Sequence, residues 1–171
     1  MRASPWLPLM AVVCFVTCTR DRPAPEASSL KPAHARALVD SVRAFALAIA
    51  RDVTREGPVA WREHFARSPA FFMAAEGRVV FPTSDAATQG IEALSRVIRH
   101  LELRWEDSVR VDPLTPGLAV LAAPCYEVRV DTAGKRVVEA GYFTGLAEHG
   151  TDGWRLRDAH WSVVSALPPV R

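Results

Sequence analysis

Two residues near the end of the chain, Asp158 and His160, have the types and spacing for proton chemistry. They stand two apart in a run, Trp154 to Ser162, that alternates as a β-strand, so both fall on one face with α-carbons about 7 Å apart. Trp154 and Leu156 share that face, and the opposite one carries Arg155, Arg157, Ala159 and Trp161. Because arginines want water, the strand is expected to turn Trp154 and Leu156 toward the core and to carry Asp158 and His160 inward with them. A buried carboxyl group and an imidazole can act as an acid/base pair, with Tyr142 or Asp107 donating a hydrogen bond to a developing oxyanion. The same two side chains can instead bond each other or a neighbouring strand and orient a ligand without chemistry.

The elements that must position them follow from periodicity. Arg136 to Ser162 reads as two antiparallel strands joined by a polar turn at Gly150-Thr151-Asp152-Gly153. Ahead of it, Leu103, Trp105, Asp107, Val109 and Val111 alternate with polar residues, and a Pro113 to Gly117 turn leads into a strand over Leu118 to Asp131. Leu38, Val42, Phe45, Ile49 and Val53 recur at helical spacing from His34 to about Arg55. Gly57-Pro58 breaks that helix and starts a shorter one in which Trp61 and Phe65 stack one turn apart. Ala70 to Pro82 is expected to form a hairpin turning near Glu76-Gly77, and Ile91, Leu94, Ile98 and Leu101 to line a third helix from Gly90 to about Leu101.

This order predicts an α+β domain: a cone-shaped, curved antiparallel sheet with about three N-terminal helices packed on its concave face, a cystatin-like roll. The open end of such a cone is a pocket. Phe71, Met73, Trp105, Asp107, Tyr142 and Trp154 are the expected ligand-binding residues. The outer face of the sheet, with Val137, Phe143 and Trp161, is expected to pair two copies of the chain, because water does not favour so apolar a surface.

The totals suit one domain with short appendages: 171 residues, 49% apolar and 23% charged, enough to build a core without staples. The net charge of +2 is spread among acids, with no basic run interleaved with aromatics, so nucleic acid is not an expected partner. Cys14, Cys18 and Cys125 have no metal-type spacing, and His34, His64, His100 and His149 do not cluster with other ligands. No metal or other cofactor is expected, and Cys125 reads as a small buried apolar side chain.

Residues 1–18 read as an export signal, with an apolar stretch from about Leu7 to Val16 that is half the length needed to span a bilayer. Phe15-Val16-Thr17-Cys18 is similar to a bacterial lipobox, which implies lipidation at Cys18 and a cell-envelope location through that anchor alone, or plain secretion if the signal is cleaved otherwise. Residues 19–33, with three prolines and no apolar period, form a flexible linker. The domain is placed at 34–165, followed by a proline-containing tail at 166–171.

Gly141-Tyr142-Phe143-Thr144, then Asp152-Gly153-Trp154-Arg155-Leu156 and His160-Trp161-Ser162, together with the order of elements, resemble the nuclear-transport-factor-two-like superfamily. The likeness is greatest to its SnoaL-like, ketosteroid-isomerase-like bacterial branches. The resemblance covers about His34 to Val164. It implies the cone fold and frequent dimers, but it leaves activity open, since the fold hosts isomerases, cyclases, dehydratases and non-catalytic modules. The reading is an exported domain that binds a small apolar or carbonyl-bearing molecule. The alternatives are isomerase- or cyclase-like proton transfer by Asp158 and His160, and a homodimeric assembly module.

Overall fold

Leu38, Val42, Ala46, Ile49 and Val53 form a single buried stripe along α1 (Pro32–Glu56), a helix opened by Pro32 and closed by Gly57 at φ 75°. The computed structural model describes residues 30–106 and 109–163. The signal with Cys18, most of the linker, Asp107 and the tail therefore lie outside the described residues. The helix starts two residues earlier than its apolar period suggests, because Pro32 is tolerated in the first turn.

A 3₁₀ turn (Gly57–Ala60) and a one-turn helix α2 (Trp61–His64) follow, and the Trp61 and Phe65 rings stack with centroids 5.3 Å apart, as their spacing predicts. Strands β1 (Phe72–Ala75) and β2 (Arg78–Phe81) form the expected hairpin, with Glu76 and Gly77 both at positive φ. Helix α3 runs from Ser84 to Val97, capped by Thr83, whose hydroxyl accepts from the Ala86 N–H at 3.2 Å. Here the periodicity misleads. Ile98 and Leu101 belong to β3 (Ile98–Trp105), since at Ile98 the backbone becomes extended and pairs with Asp131. The helix therefore starts earlier and ends sooner than expected. Gly90 lets it lie close to β2, because a β-carbon there would sit 2.2 Å from the Phe81 ring.

The remaining strands are β4 (Arg110–Thr115), β5 (Leu118–Asp131), β6 (Arg136–Gly150) and β7 (Gly153–Val163). What alternation reads as one strand from Leu103 to Asp112 is two, β3 and β4, which pair antiparallel with opposite ends of β5. Among the described residues the seven strands form one curved, unclosed sheet in the order β2-β1-β7-β6-β5-β3, with β4 also against β5. Strand β1 pairs parallel with β7, the one parallel contact between named strands.

Helix α1 lies across the inner face of β3, β4 and β5, and is pinned there by Thr54, whose hydroxyl both donates to and accepts from the Leu103 backbone at 3.2 and 3.0 Å. The core between them holds Phe143, wholly buried, with Trp105 and Trp161 at centroid distances of 5.5 and 5.7 Å. This corrects the expected docking face: Phe143 and Trp161 point inward. Val137 lies on the same inner side by alternation. Burying a phenylalanine of this kind stabilises the fold by about 2 kcal/mol, which an exposed outer face would forgo.

Candidate functional site

The inner face of β5 carries Ala119, Leu121, Ala123 and Cys125, all buried, and the same alternation continues through Glu127 and Arg129. Antiparallel pairing sets Glu139 of β6 directly opposite Glu127. Arg129 joins them, its Nε 3.2 Å from Glu127 Oε1 and its Nη2 2.5 Å from Glu139 Oε2. Two carboxylates therefore share one guanidinium inside the sheet.

These groups form the polar end of a cavity of about 400 Å³. Its walls come from Trp61 and Phe65 of the α2 segment, Met73 of β1, Ile91 of α3, Leu101 of β3 and Trp161 of β7. Arg62 of α2 is hydrogen-bonded to Glu92 of α3, which ties two of these walls together. The hairpin turn adds Glu76 and Arg78 at the solvent side.

Burial in this apolar setting pushes the Glu127 carboxyl up to about 7; Arg129 opposes that rise and the neighbouring charge of Glu139 adds to it. A carboxylic acid that is half protonated near neutrality can donate or accept a hydrogen bond, or move a proton. Cys125, two residues back on the same face, is pushed up to about 12 by burial and by the charges of Glu127 and Glu106, so it stays a thiol.

A β-bulge decides where Asp158 and His160 go. Leu156 faces Ala147 and Asp158 faces Leu146, so Arg157 is an extra residue on β7 and the alternation shifts by one across it. Before the bulge Leu156 points inward; after it Ala159 and Trp161 do. Asp158 and His160 are therefore on the outer face, beside Leu146 and Thr144, with His160 exposed and Asp158 bonded to Arg157 at 3.3 Å. The expectation that this pair faces the hollow is corrected on that ground. Gly145 makes room for the change of phase: a β-carbon there would stand 2.9 Å from both Leu156 and the Phe143 ring.

Of the other expected ligand contacts, Met73 lines the cavity. Phe71 is buried in the core against Phe65, at 4.9 Å between ring centroids. Trp105 donates its indole N–H to the Ala46 carbonyl at 2.8 Å, and Trp154 donates to Ser41 Oγ at 2.8 Å, so both dock helix α1. Tyr142 lies on the outer face, 46% exposed. Sequence reasoning misses Glu127, Arg129 and Glu139 as site residues; the one legible signal is alternation from Cys125, which puts the first two on the inner face. The pairing of Glu139 with Glu127 is a matter of register and needs the structure.

Elsewhere, buried His64 sits 3.3 Å from Asp52, and burial holds its pKa below the usual histidine value against the pull of that carboxylate. Among the described residues no three His, Cys, Asp or Glu side chains are grouped to hold a metal ion, and no helix is long and apolar enough to cross a membrane.

No protein-family model and no curated protein matches the chain. Solved structures do. A nuclear transport factor 2-like superfamily protein from Salmonella enterica serovar Typhimurium is 11% identical, with a TM-score of 0.66 over 78% of this chain and 96% of its own. A candidate scytalone dehydratase from Novosphingobium aromaticivorans gives 0.68 at 10% identity over 82% and 94%, and a ketosteroid isomerase-like protein from Erwinia carotovora gives 0.58 at 14% over 74% and 96%. At these identities the likeness is one of fold: the chain has the nuclear-transport-factor-2-like architecture that its sequence resembles.

Proposed function

We propose that the protein binds a small, mainly apolar molecule in the inner cavity, with the molecule's polar end against Glu127, Arg129 and Glu139. The observation that carries this reading is a titratable carboxyl, held near neutrality, at the charged end of a hollow whose other walls are mostly aromatic and aliphatic. A carboxyl needed only for stability would sit better in water or fully paired. Native mass spectrometry of protein purified from its own host tests the reading, with a co-purified small molecule as the expected result. Ala75, which lines the cavity, supplies a control: Ala75→Leu is expected to expel that molecule while the fold persists, and retention of the molecule would contradict the assignment.

A second reading is enzymatic. A carboxyl near 7 is matched to proton transfer at neutral pH, and Glu127 would be the group that takes and returns the proton, as in an isomerase or dehydratase. Glu127→Gln would then abolish turnover and spare binding of an uncharged substrate.

The lipobox-like Phe15 to Cys18 supports an envelope location through a lipid anchor, to be checked by the mass of the mature N-terminus. Self-association would use the outer face, where Phe72, Val138 and Tyr142 are 43, 40 and 46% exposed. Light scattering showing only monomer would remove that part.

A further inference from the structure

The charges inside the cavity do not balance. Glu127 and Glu139 are cross-strand partners, and like charges in that position repel. Among the described residues Arg129 is the one cation that touches both, which leaves one negative charge uncompensated when both acids are ionised. On its own strand Glu127 has Cys125 and Arg129 as titratable or charged neighbours, and on β6 it has Glu139. The facing residue of β3 is Leu103, while the 3₁₀ turn, α2 and α3 present only uncharged side chains to the cavity. The hairpin contributes one acid and one base, Glu76 and Arg78, which add no net charge and, both being exposed, are screened by water.

We infer that the cavity's ligand is a mainly apolar amine, held with its ammonium group against Glu127 and Glu139 and its body among Trp61, Phe65 and Trp161. This deepens the ligand-binding reading and rests on it. A carboxylate ligand would add a third negative charge to the pair. A neutral one would leave the imbalance to be met by a proton on Glu127. An ammonium group supplies the missing charge through charge-assisted hydrogen bonds, and the aromatic faces beside it attract cations as well. Binding then exchanges a proton on Glu127 for the ammonium group, which costs little near pH 7, where that carboxyl is already about half ionised.

The sign of the pH effect separates this from the neutral alternative. An amine stays protonated well above pH 8.5, so its affinity follows the ionisation of Glu127 and rises with pH. A carbonyl or hydroxyl compound that needs Glu127 as a donor weakens over the same range.

Isothermal titration of the full chain with 4-phenylbutylamine, 4-phenylbutan-1-ol and 4-phenylbutyrate reads this out. The amine is expected to bind at least about tenfold tighter than the alcohol at pH 8.5, the carboxylate weakest of the three, as charge pairing dictates. Amine affinity should fall about thirtyfold on going to pH 5.5, the ratio set by one group titrating near 7. Two buffers of different ionisation enthalpy should show about half a proton released per amine bound at pH 7. In Glu127→Gln the preference for the amine over the alcohol should collapse. An alcohol that binds as tightly as the amine, or amine affinity that does not change with pH, overturns the inference and leaves the ligand-binding reading standing. Failure of all three probes at both pH values removes that reading and the inference with it.

Discussion

Glu127 and Glu139 face each other across β5 and β6 in direct register, and Arg129 reaches both. A sheet interior normally avoids such a pair, because Glu127 is dehydrated by its burial and the neighbouring charge of Glu139 repels it. In the proposed ligand-binding reading, the apolar hollow leaves one negative charge for a bound molecule to meet.

The first consequence is for stability. Burial raises the Glu127 pKa from 4.5 to about 7, so the stability it contributes is fully present below 4.5 and is lost as pH rises through 7. The difference corresponds to about 3 kcal/mol at 1.36 kcal/mol per unit. Glu127→Gln should therefore match the native protein at pH 4.5 in urea denaturation and exceed its stability by about 3 kcal/mol at pH 8. Equal stabilities at both pH values would mean that Glu127 is solvated.

Gly141 tests the closeness of β6 and β7. A β-carbon on it would stand 2.0 Å from the Ser162 carbonyl oxygen, backbone that cannot rotate away. Gly141→Ala should lower stability by about 2 kcal/mol or more, whereas Ala140→Gly, at an exposed neighbour, should cost under about 1. Thermal melts of the two variants decide it, and equal melting temperatures would contradict the close approach.

Cys125 should be inert in the native state. It is 1% exposed, and burial holds its thiol near 12. Peptide mapping after iodoacetamide treatment is expected to find it unmodified in folded protein and labelled in urea. Rapid labelling without denaturant would mean that the inner face of β5 is open to solvent.

His160, on the outer face, should matter little to any ligand of the inner cavity. His160→Gln is expected to change stability by less than about 0.5 kcal/mol and to leave binding unaltered. Loss of binding in this variant would move the site to the other side of the sheet.

Much of the architecture is written in local patterns. The stripe on α1, the Trp61 and Phe65 stack and the Glu76-Gly77 turn each depend on residues within a few positions of one another, and all are present as their spacing implies. The site is harder to read because it depends on phase. Arg157 shows why: one extra residue in β7 reverses which side Asp158 and His160 face, and a bulge leaves no mark in a strictly alternating pattern. The same uninterrupted counting puts Trp161 outside, and with it Phe143, its partner across the ladder. Glu139 acquires its meaning only from the residue across the ladder, about which a single strand's sequence is silent.

The central claim is that Glu127 is a carboxyl held near neutrality by the cavity around it. Carbon-detected NMR titration of the glutamate side chains, with Glu127→Gln used to assign the signal, measures this directly. A midpoint near 7 is the predicted result. A midpoint at about 4.3, the value of a glutamate in water, would contradict the account.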